Sequence, residues 1–471
     1  MRLVIVSNRL PFTARAENGQ LQFQTSAGGL VSGLSTYLDS LRDATPLQQA
    51  HLWVGWPGVT IPPALQRELG RRARREFSAY PVYLDEATMD RFYHGFCNRT
   101  LWPLFHYFPA LASFEEDDWR TYQHVNQVFC DHLRKILQPD DVVWIHDYHL
   151  MLLPRLLKQQ FPTLPIGFFL HIPFPSFEIL RQMPGAWREA LLTGLLGADL
   201  VGFHLPDYAT HFLSAAREFL GWKERRGIVQ TPTHAAHIGA FPMGIDYEKF
   251  SRAAASAETA QAGGELRRAL QNARIILSVD RLDYAKGILN RLRGLEVFLE
   301  KNPAWHGRVV LCLVVVPSRI GVPKYRETKR EIDERVGEIN GKFGSMTWTP
   351  ILYQYNFLPF HQLVALYRLA DLALVTPLRD GMNLVAKEYV ATRTDQTGVL
   401  ILSELAGAAK ELRDALIINP NDTETLAQTL RAALEMPPRE QRRRMRAMQK
   451  RLAQYTVVHW AQDFLRVLRA G

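Results

Sequence analysis

Residues 275–287 read Ile-Ile-Leu-Ser-Val-Asp-Arg-Leu-Asp-Tyr-Ala-Lys-Gly, an apolar run that breaks abruptly into charge. Ile275–Val279 has the length and composition of a buried strand. Asp280 to Gly287 then form a strand-to-helix loop. In open parallel sheets ligands bind beyond the carboxyl ends of the strands, so the chemistry is expected in loops of this kind. Arg281 and Lys286 lie on either side of this one. Arginine offers a planar fork and lysine a point charge, a combination suited to gripping a diphosphate. Asp283 between them has the alternative of only orienting the loop through local hydrogen bonds.

Downstream the pattern repeats. Strands are expected at Val309–Val316, Leu372–Val375, Val399–Leu402 and Ala415–Ile418. The first leads into Pro317-Ser318-Arg319, which places another cation at a strand end. The second leads into Thr376-Pro377-Leu378-Arg379-Asp380-Gly381-Met382-Asn383-Leu384-Val385-Ala386-Lys387-Glu388. Asp380-Gly381 makes a turn and a helix begins near Asn383. The amides at its start, around Leu384 and Val385, can meet an anionic or sugar ligand, and Glu388 can chelate ribose hydroxyls. A salt-bridged surface helix would not explain so abrupt a polar loop in apolar surroundings.

Upstream, strands are expected at Leu3–Val6, Leu52–Gly55, Val82–Leu84, Val142–Ile145, Ile166–Leu170 and Leu200–Phe203. Helix-length segments lie between them, at Leu30 to Leu41 and at about Trp119 to Leu137. Arg9 follows the first strand. Gly28 and Gly29 stand before the first helix, where bare amides suit a phosphate, although a tight turn reads equally well. His146-Asp147-Tyr148-His149 ends a strand, where Asp147 can accept from sugar hydroxyls or cap a helix. In His171-Ile172-Pro173-Phe174-Pro175 two prolines restrict the backbone and hold His171 at a strand tip. The stretch Ser251 to Gly264 reads as a loose surface segment, and Trp460 to Arg469 as a helix. Two successive α/β halves imply an α/β fold of two Rossmann-like domains with parallel sheets, 1–240 and 241–455.

The 471 residues are 47% apolar and 22% charged, ordinary for a globular chain of two domains. No run approaches ~18 uninterrupted apolar residues and no secretory leader is read, so neither a membrane span nor export is expected. Cys97, Cys130 and Cys312 show no zinc or redox spacing and fit a reducing, cytoplasmic setting. The net charge of +9 raises nucleic acid as a partner. Its dense runs, 71–75 and 442–446, lack interleaved aromatics and read as solvated helix faces. Neither a nucleic-acid nor a membrane partner is expected.

Taken together these motifs resemble the trehalose-6-phosphate synthase family of retaining glycosyltransferases. Ser7-Asn8-Arg9, Trp144-Ile145-His146-Asp147-Tyr148-His149 and the run from Arg379 to Tyr389 carry the likeness, which extends over nearly the whole chain. The resemblance implies the GT-B architecture, an active site in the cleft between two Rossmann domains, and a last helix (456–471) packing back on the first. It implies an acceptor, glucose 6-phosphate, met by Arg9, Tyr93, Trp102, Asp147 and Arg319. It implies a nucleotide-sugar donor, by family default UDP-glucose, met by Gly28, Gly29, His171, Arg281, Lys286, Asp380, Leu384, Val385 and Glu388. Asp147, His171, Arg281, Lys286 and Asp380 are the implied catalytic set, with neither metal nor cofactor required. Base contacts fall near Gln354 to Leu358.

No Asp-x-Asp phosphatase signature follows the second domain, so the product is expected to leave as a phosphate ester for a separate phosphatase. A sister transferase acting on glycerol 3-phosphate and a silent sugar-phosphate sensor are the rival readings. Homo-oligomerisation is left open.

Overall fold

The structure is a computed structural model that describes residues 2–17, 20–25, 29–44, 51–270, 273–319 and 321–470. The chain divides into two compact units, 1–243 with 457–471, and 244–456. Among the described residues no helix is long and apolar enough to cross a membrane.

The first unit is built on a nine-stranded sheet. Its strands are β1 (Arg2–Arg9), β4 (His51–Trp56), β5 (Ala79–Pro81), β6 (Asp141–His146), β7 (Ile166–Phe169), β8 (Leu200–Phe203), β9 (Glu224–Arg225), β10 (Ile228–Gln230) and β11 (Ala235–Ala240). The spatial order is β5-β4-β1-β6-β7-β8-β11-β10-β9, parallel throughout except for the last two. The hairpin of β2 (Phe12–Glu17) and β3 (Gln20–Thr25) stands apart. The helix Val457–Ala470 packs on this unit. Phe464 stacks on Trp144 at 4.8 Å and Trp460 lies 5.1 Å from the same ring. That approach needs Gly167 and Gly202, where an added Cβ would stand 2.7 Å from the Phe464 ring.

The second unit holds six parallel strands, β12 (Arg274–Arg281), β13 (Val309–Val316), β14 (Ile351–Gln354), β15 (Leu372–Val375), β16 (Val399–Ser403) and β17 (Leu416–Ile418). Their order is β14-β13-β12-β15-β16-β17. Helices cover both faces, which is why β13 reads Val-Val-Leu-Cys-Leu-Val-Val-Val without alternation.

Two expectations are corrected. The strand expected at Val82–Leu84 lies three residues earlier, at Ala79–Pro81, because Tyr80 and Pro81 pair with Val54 and Gly55 while 82–84 leave the ladder. The stretch Ser251 to Gly264 is not loose. It belongs to the helices Tyr247–Ala254 and Ala257–Ala269, capped by Asp246 accepting from the Lys249 amide and Ser256 from Thr259. Alanine is the strongest helix former, and two caps outweigh the cost of Gly263 and Gly264. The hairpin β2–β3 and the short strands β9, β10, β11 and β14 were not expected.

Candidate active site

Each unit brings its polar groups to the carboxyl ends of its parallel strands. In the first, β1 ends at Arg9, whose guanidinium lies over the rings of Trp56 (5.2 Å) and Tyr93 (5.8 Å). Tyr93 belongs to a wide, irregular helical segment, Asp90–Leu101, kinked at Gly95. Its ring stacks on His149 at 5.7 Å. Asn98 ties this segment to the β6 loop, donating to the Tyr93 carbonyl at 2.7 Å and accepting from the Tyr148 hydroxyl at 3.0 Å. Trp102 is buried against His106 (4.0 Å) and Tyr148 (5.7 Å). Arg9, Tyr93 and Trp102 therefore share one aromatic wall with the loop that carries Asp147.

Asp147 adopts φ 73°, ψ 168°, a region that side-chain-bearing residues enter at a cost of about 1–3 kcal/mol. Its amide donates to the Phe169 carbonyl at 2.8 Å, and its Oδ1 accepts from the His171 amide at 3.3 Å. The carboxylate thus reaches across to the loop after β7 instead of capping the short turn Tyr148–Leu150. His171 meets buried His146 through Nε2 and Nδ1 at 3.1 Å. Burial pushes His146 down to about 3 and His171 well down as well, so both rings are neutral at neutral pH. Gly29 opens the helix Gly29–Ala44; Gly28 lies outside the described residues.

In the second unit, β12 ends at exposed Arg281. A single tight turn follows, Tyr284–Lys286, then Gly287 at φ 68°, where a Cβ would stand 2.5 Å from the Thr376 carbonyl. Asp283 orients this loop, its Oδ1 accepting from the Ala285 amide at 3.0 Å. Its other oxygen holds Arg319, which is buried, sits at φ 48° and also donates to the Tyr325 hydroxyl at 2.5 Å. Lys286 Nζ reaches Asp380 Oδ2 at 2.5 Å and so links the loops after β12 and β15. Asn383 at φ 79° steadies the same oxygen through its Nδ2 at 3.0 Å, while its Oδ1 accepts from the Ala386 amide and caps the helix Leu384–Thr392. Leu384 and Val385 open that helix, half-buried. Glu388 accepts from the Tyr367 hydroxyl at 3.0 Å one turn on.

Sequence reasoning missed Arg291. It lies under the first loop at 1% exposure, paired with Asp280 at 2.5 Å and donating to Thr376 Oγ1, Ser278 Oγ and the Lys286 carbonyl. An arginine on the apolar stripe Ile288, Leu292, Leu295 was the available signal. Asn98 and Tyr367 act by holding other groups, and no local pattern marks them; Asn383 stands where a helix was expected to begin, but its hold on Asp380 was not read.

Burial pushes the Glu388 carboxyl up from 4.5 to about 7. The folded chain then keeps a proton that the unfolded chain releases near 4.5, so this group's contribution to stability falls as pH rises from about 4.5 to 7. The cost above pH 7 is at most about 3 kcal/mol. Glu388→Gln is expected to lose this dependence. Its melting temperature should equal wild type near pH 4.5 and exceed it at pH 8. Parallel pH–melting curves for the two proteins would remove the assignment.

Comparison with known proteins shows the family. Residues 1–470 match the profile of Glycosyltransferase family 20. The bifunctional trehalose-6-phosphate synthase/phosphatase of Thermoproteus tenax is 47% identical over 466 residues, covering 99% of this chain and 63% of its own length. The chain therefore spans under two thirds of that relative. The crystal structure of an alpha,alpha-trehalose-phosphate synthase (UDP-forming) from Burkholderia xenovorans in complex with glucose-6-phosphate superposes with a TM-score of 0.87, at 33% identity and 100% coverage of both chains. An E. coli structure named for trehalose-6-phosphate and bound with UDP-2-fluoro glucose gives 0.87 at 34% identity, covering 99% of each chain.

Proposed function

Because the chain belongs to glycosyltransferase family 20, we propose that it transfers glucose from UDP-glucose to glucose 6-phosphate with retention of configuration, releasing trehalose 6-phosphate and UDP. The observation that carries this reading is the Lys286–Asp380 pair, which gathers the β12 loop and the start of the helix Leu384–Thr392 into one cationic, amide-rich end of the sheet. Such an end suits a nucleoside diphosphate. The relatives that bind UDP-2-fluoro glucose and glucose-6-phosphate support both substrates.

Arg281 and Lys286 are assigned to the diphosphate, where they offset charge developing on the leaving oxygen. Neutralisation by these two cations is the basis for proposing that no metal is needed. Glu388 is assigned to the ribose. Asp147, neutral His171 and Asp380 are assigned to sugar hydroxyls, and Arg9 with Tyr93 and Trp102 to glucose 6-phosphate. Retention by double displacement would need a free carboxylate nucleophile. Asp380 is held by Lys286 and Asn383 instead, which favours a front-face reaction in which the departing phosphate accepts the proton of the acceptor hydroxyl. Three buried free cysteines fit a reducing compartment, and the reading places the enzyme in the cytoplasm, with a separate phosphatase acting on the product.

The test is product analysis with UDP-, ADP- and GDP-glucose against glucose 6-phosphate and glycerol 3-phosphate. A disaccharide phosphate formed best from UDP-glucose and glucose 6-phosphate is expected. No disaccharide phosphate from any donor would overturn the reading.

A further inference from the structure

The two basic runs of the sequence have different fates. In the helix Pro438–Gln454, three of the four arginines in 442–446 are occupied. Arg443 pairs with Glu440 and Asp414, Arg444 with Glu440, and Arg446 donates to Gln396. In the helix Pro63–Phe77 the run divides by face. Ala73 is buried, and Arg72 turns to Glu76, the Leu21 carbonyl and the Phe23 ring. Arg71, Arg74 and Arg75, joined by Arg67 one turn earlier, line a groove of about 640 Å³ beside the edge strand β5, with Tyr80 and Tyr83. Among the described residues, none that lines it is a carboxylate. Arg75 is paired with Glu76 at 2.8 Å. Among the described residues, Arg67, Arg71 and Arg74 have no carboxylate partner.

From this arrangement we infer that the groove is a second ligand site, separate from the Arg281–Lys286 loop, for a small anion carrying at least two phosphoryl groups. Three unpaired guanidiniums at helix spacings of three and four share one concave wall, where their fields add and a bidentate fork can meet each phosphoryl. A single phosphate could engage only part of that array. Arg74 is held over the Tyr80 ring at 5.4 Å, and Tyr80 packs edge-on to His132 at 6.3 Å, so the wall is positioned before a ligand arrives. The Tyr83 hydroxyl donates to the Gln66 carbonyl at 2.6 Å. Burial pushes that phenol up to about 12, so it adds no negative charge at neutral pH. Gly70 also lines the groove, and an added Cβ there would make only ordinary contact, 3.6 Å from the Tyr83 hydroxyl, so a larger side chain can be placed at this point without strain. The volume is that of an ordinary small-molecule site.

The test is calorimetric titration of the full chain with tripolyphosphate and, separately, with inorganic phosphate, at about 50 mM salt where screening is weak. Tripolyphosphate binding is expected, with one equivalent per chain in Lys286→Gln, where the strand-end loop is weakened, and with inorganic phosphate at least about tenfold weaker there. Binding should persist in Lys286→Gln and fall at least about tenfold in Arg71→Gln/Arg74→Gln. Gly70→Leu, which keeps every charge and fills the groove, should weaken it similarly. The arginine pair is solvent-facing, so an unchanged melting temperature will show that the fold is intact. Wild-type affinity in either groove variant, or no binding of tripolyphosphate to wild type at about 1 mM, overturns the site.

Discussion

Lys286→Ala is expected to lower kcat/KM for UDP-glucose by about 10²–10³, the loss seen when one preorganised donor to a developing oxyanion is removed. In the structure the ammonium is held by Asp380 between the two strand-end loops, at 13% side-chain exposure. It is therefore placed in a part-desolvated position before any phosphate arrives, and needs little reorganisation. A diphosphate carries more charge than one carboxylate, so the donor can draw Lys286 without the lysine moving far. The greater part of the loss should fall on kcat, because the charge it offsets is larger at the transition state than in bound donor. Lys286→Arg should recover only part, since a fork cannot occupy the place of a point charge beside Asp380. Asp380 retains the Asn383 and Met382 donors in the variant, so the melting temperature should change little. Initial rates within tenfold of wild type, with the fold intact, would end the assignment.

Much of this was legible in the chain because parallel strands buried on both faces announce themselves as apolar runs. Leu200–Phe203, Val309–Val316 and Leu372–Val375 match the observed strands residue for residue. Where strands are short or lie at an edge the signal fades, as at Ala79–Pro81 and β9–β10, since such strands need little apolar surface to hold their place. The polar loops at strand ends were legible for the same reason inverted: charge following a buried strand must face water or ligand. What the residues could not show is how those side chains are spent. Arg319 reads as a free cation at a strand tip, yet it is buried on Asp283 and Tyr325. Its acceptor role rested on resemblance. Asp147 reads as a cap or a sugar ligand, and only the backbone reveals that it sits where glycine is usual. The run 71–75 reads as one solvated face; the helix turn divides it between Glu76 and an open groove.

The largest stability effect is expected at Arg291. Breaking a buried pair by removing one partner costs about 3–5 kcal/mol, because the remaining charge is left uncompensated. Burial already pushes the Asp280 carboxyl up, with Arg291 the foremost group pulling it back. Arg291→Met preserves the apolar stem packed along the helix Ile288–Lys301 but strands Asp280 at the end of β12. At roughly 2–4 °C per kcal/mol for a unit of this size, the melting temperature should fall by on the order of 10 °C. Asp280→Asn/Arg291→Met should recover part of that loss, since an amide can be buried without ionising. Activity offers a separate readout. Arg291 also donates to the Lys286 carbonyl and to Thr376, so it holds the backbone that presents Lys286. At temperatures where Arg291→Met is still folded, kcat/KM should fall beyond what the unfolded fraction explains, and the double variant should not restore it. If the double variant restores activity together with stability, Arg291 is only a counter-ion to Asp280 and positions nothing.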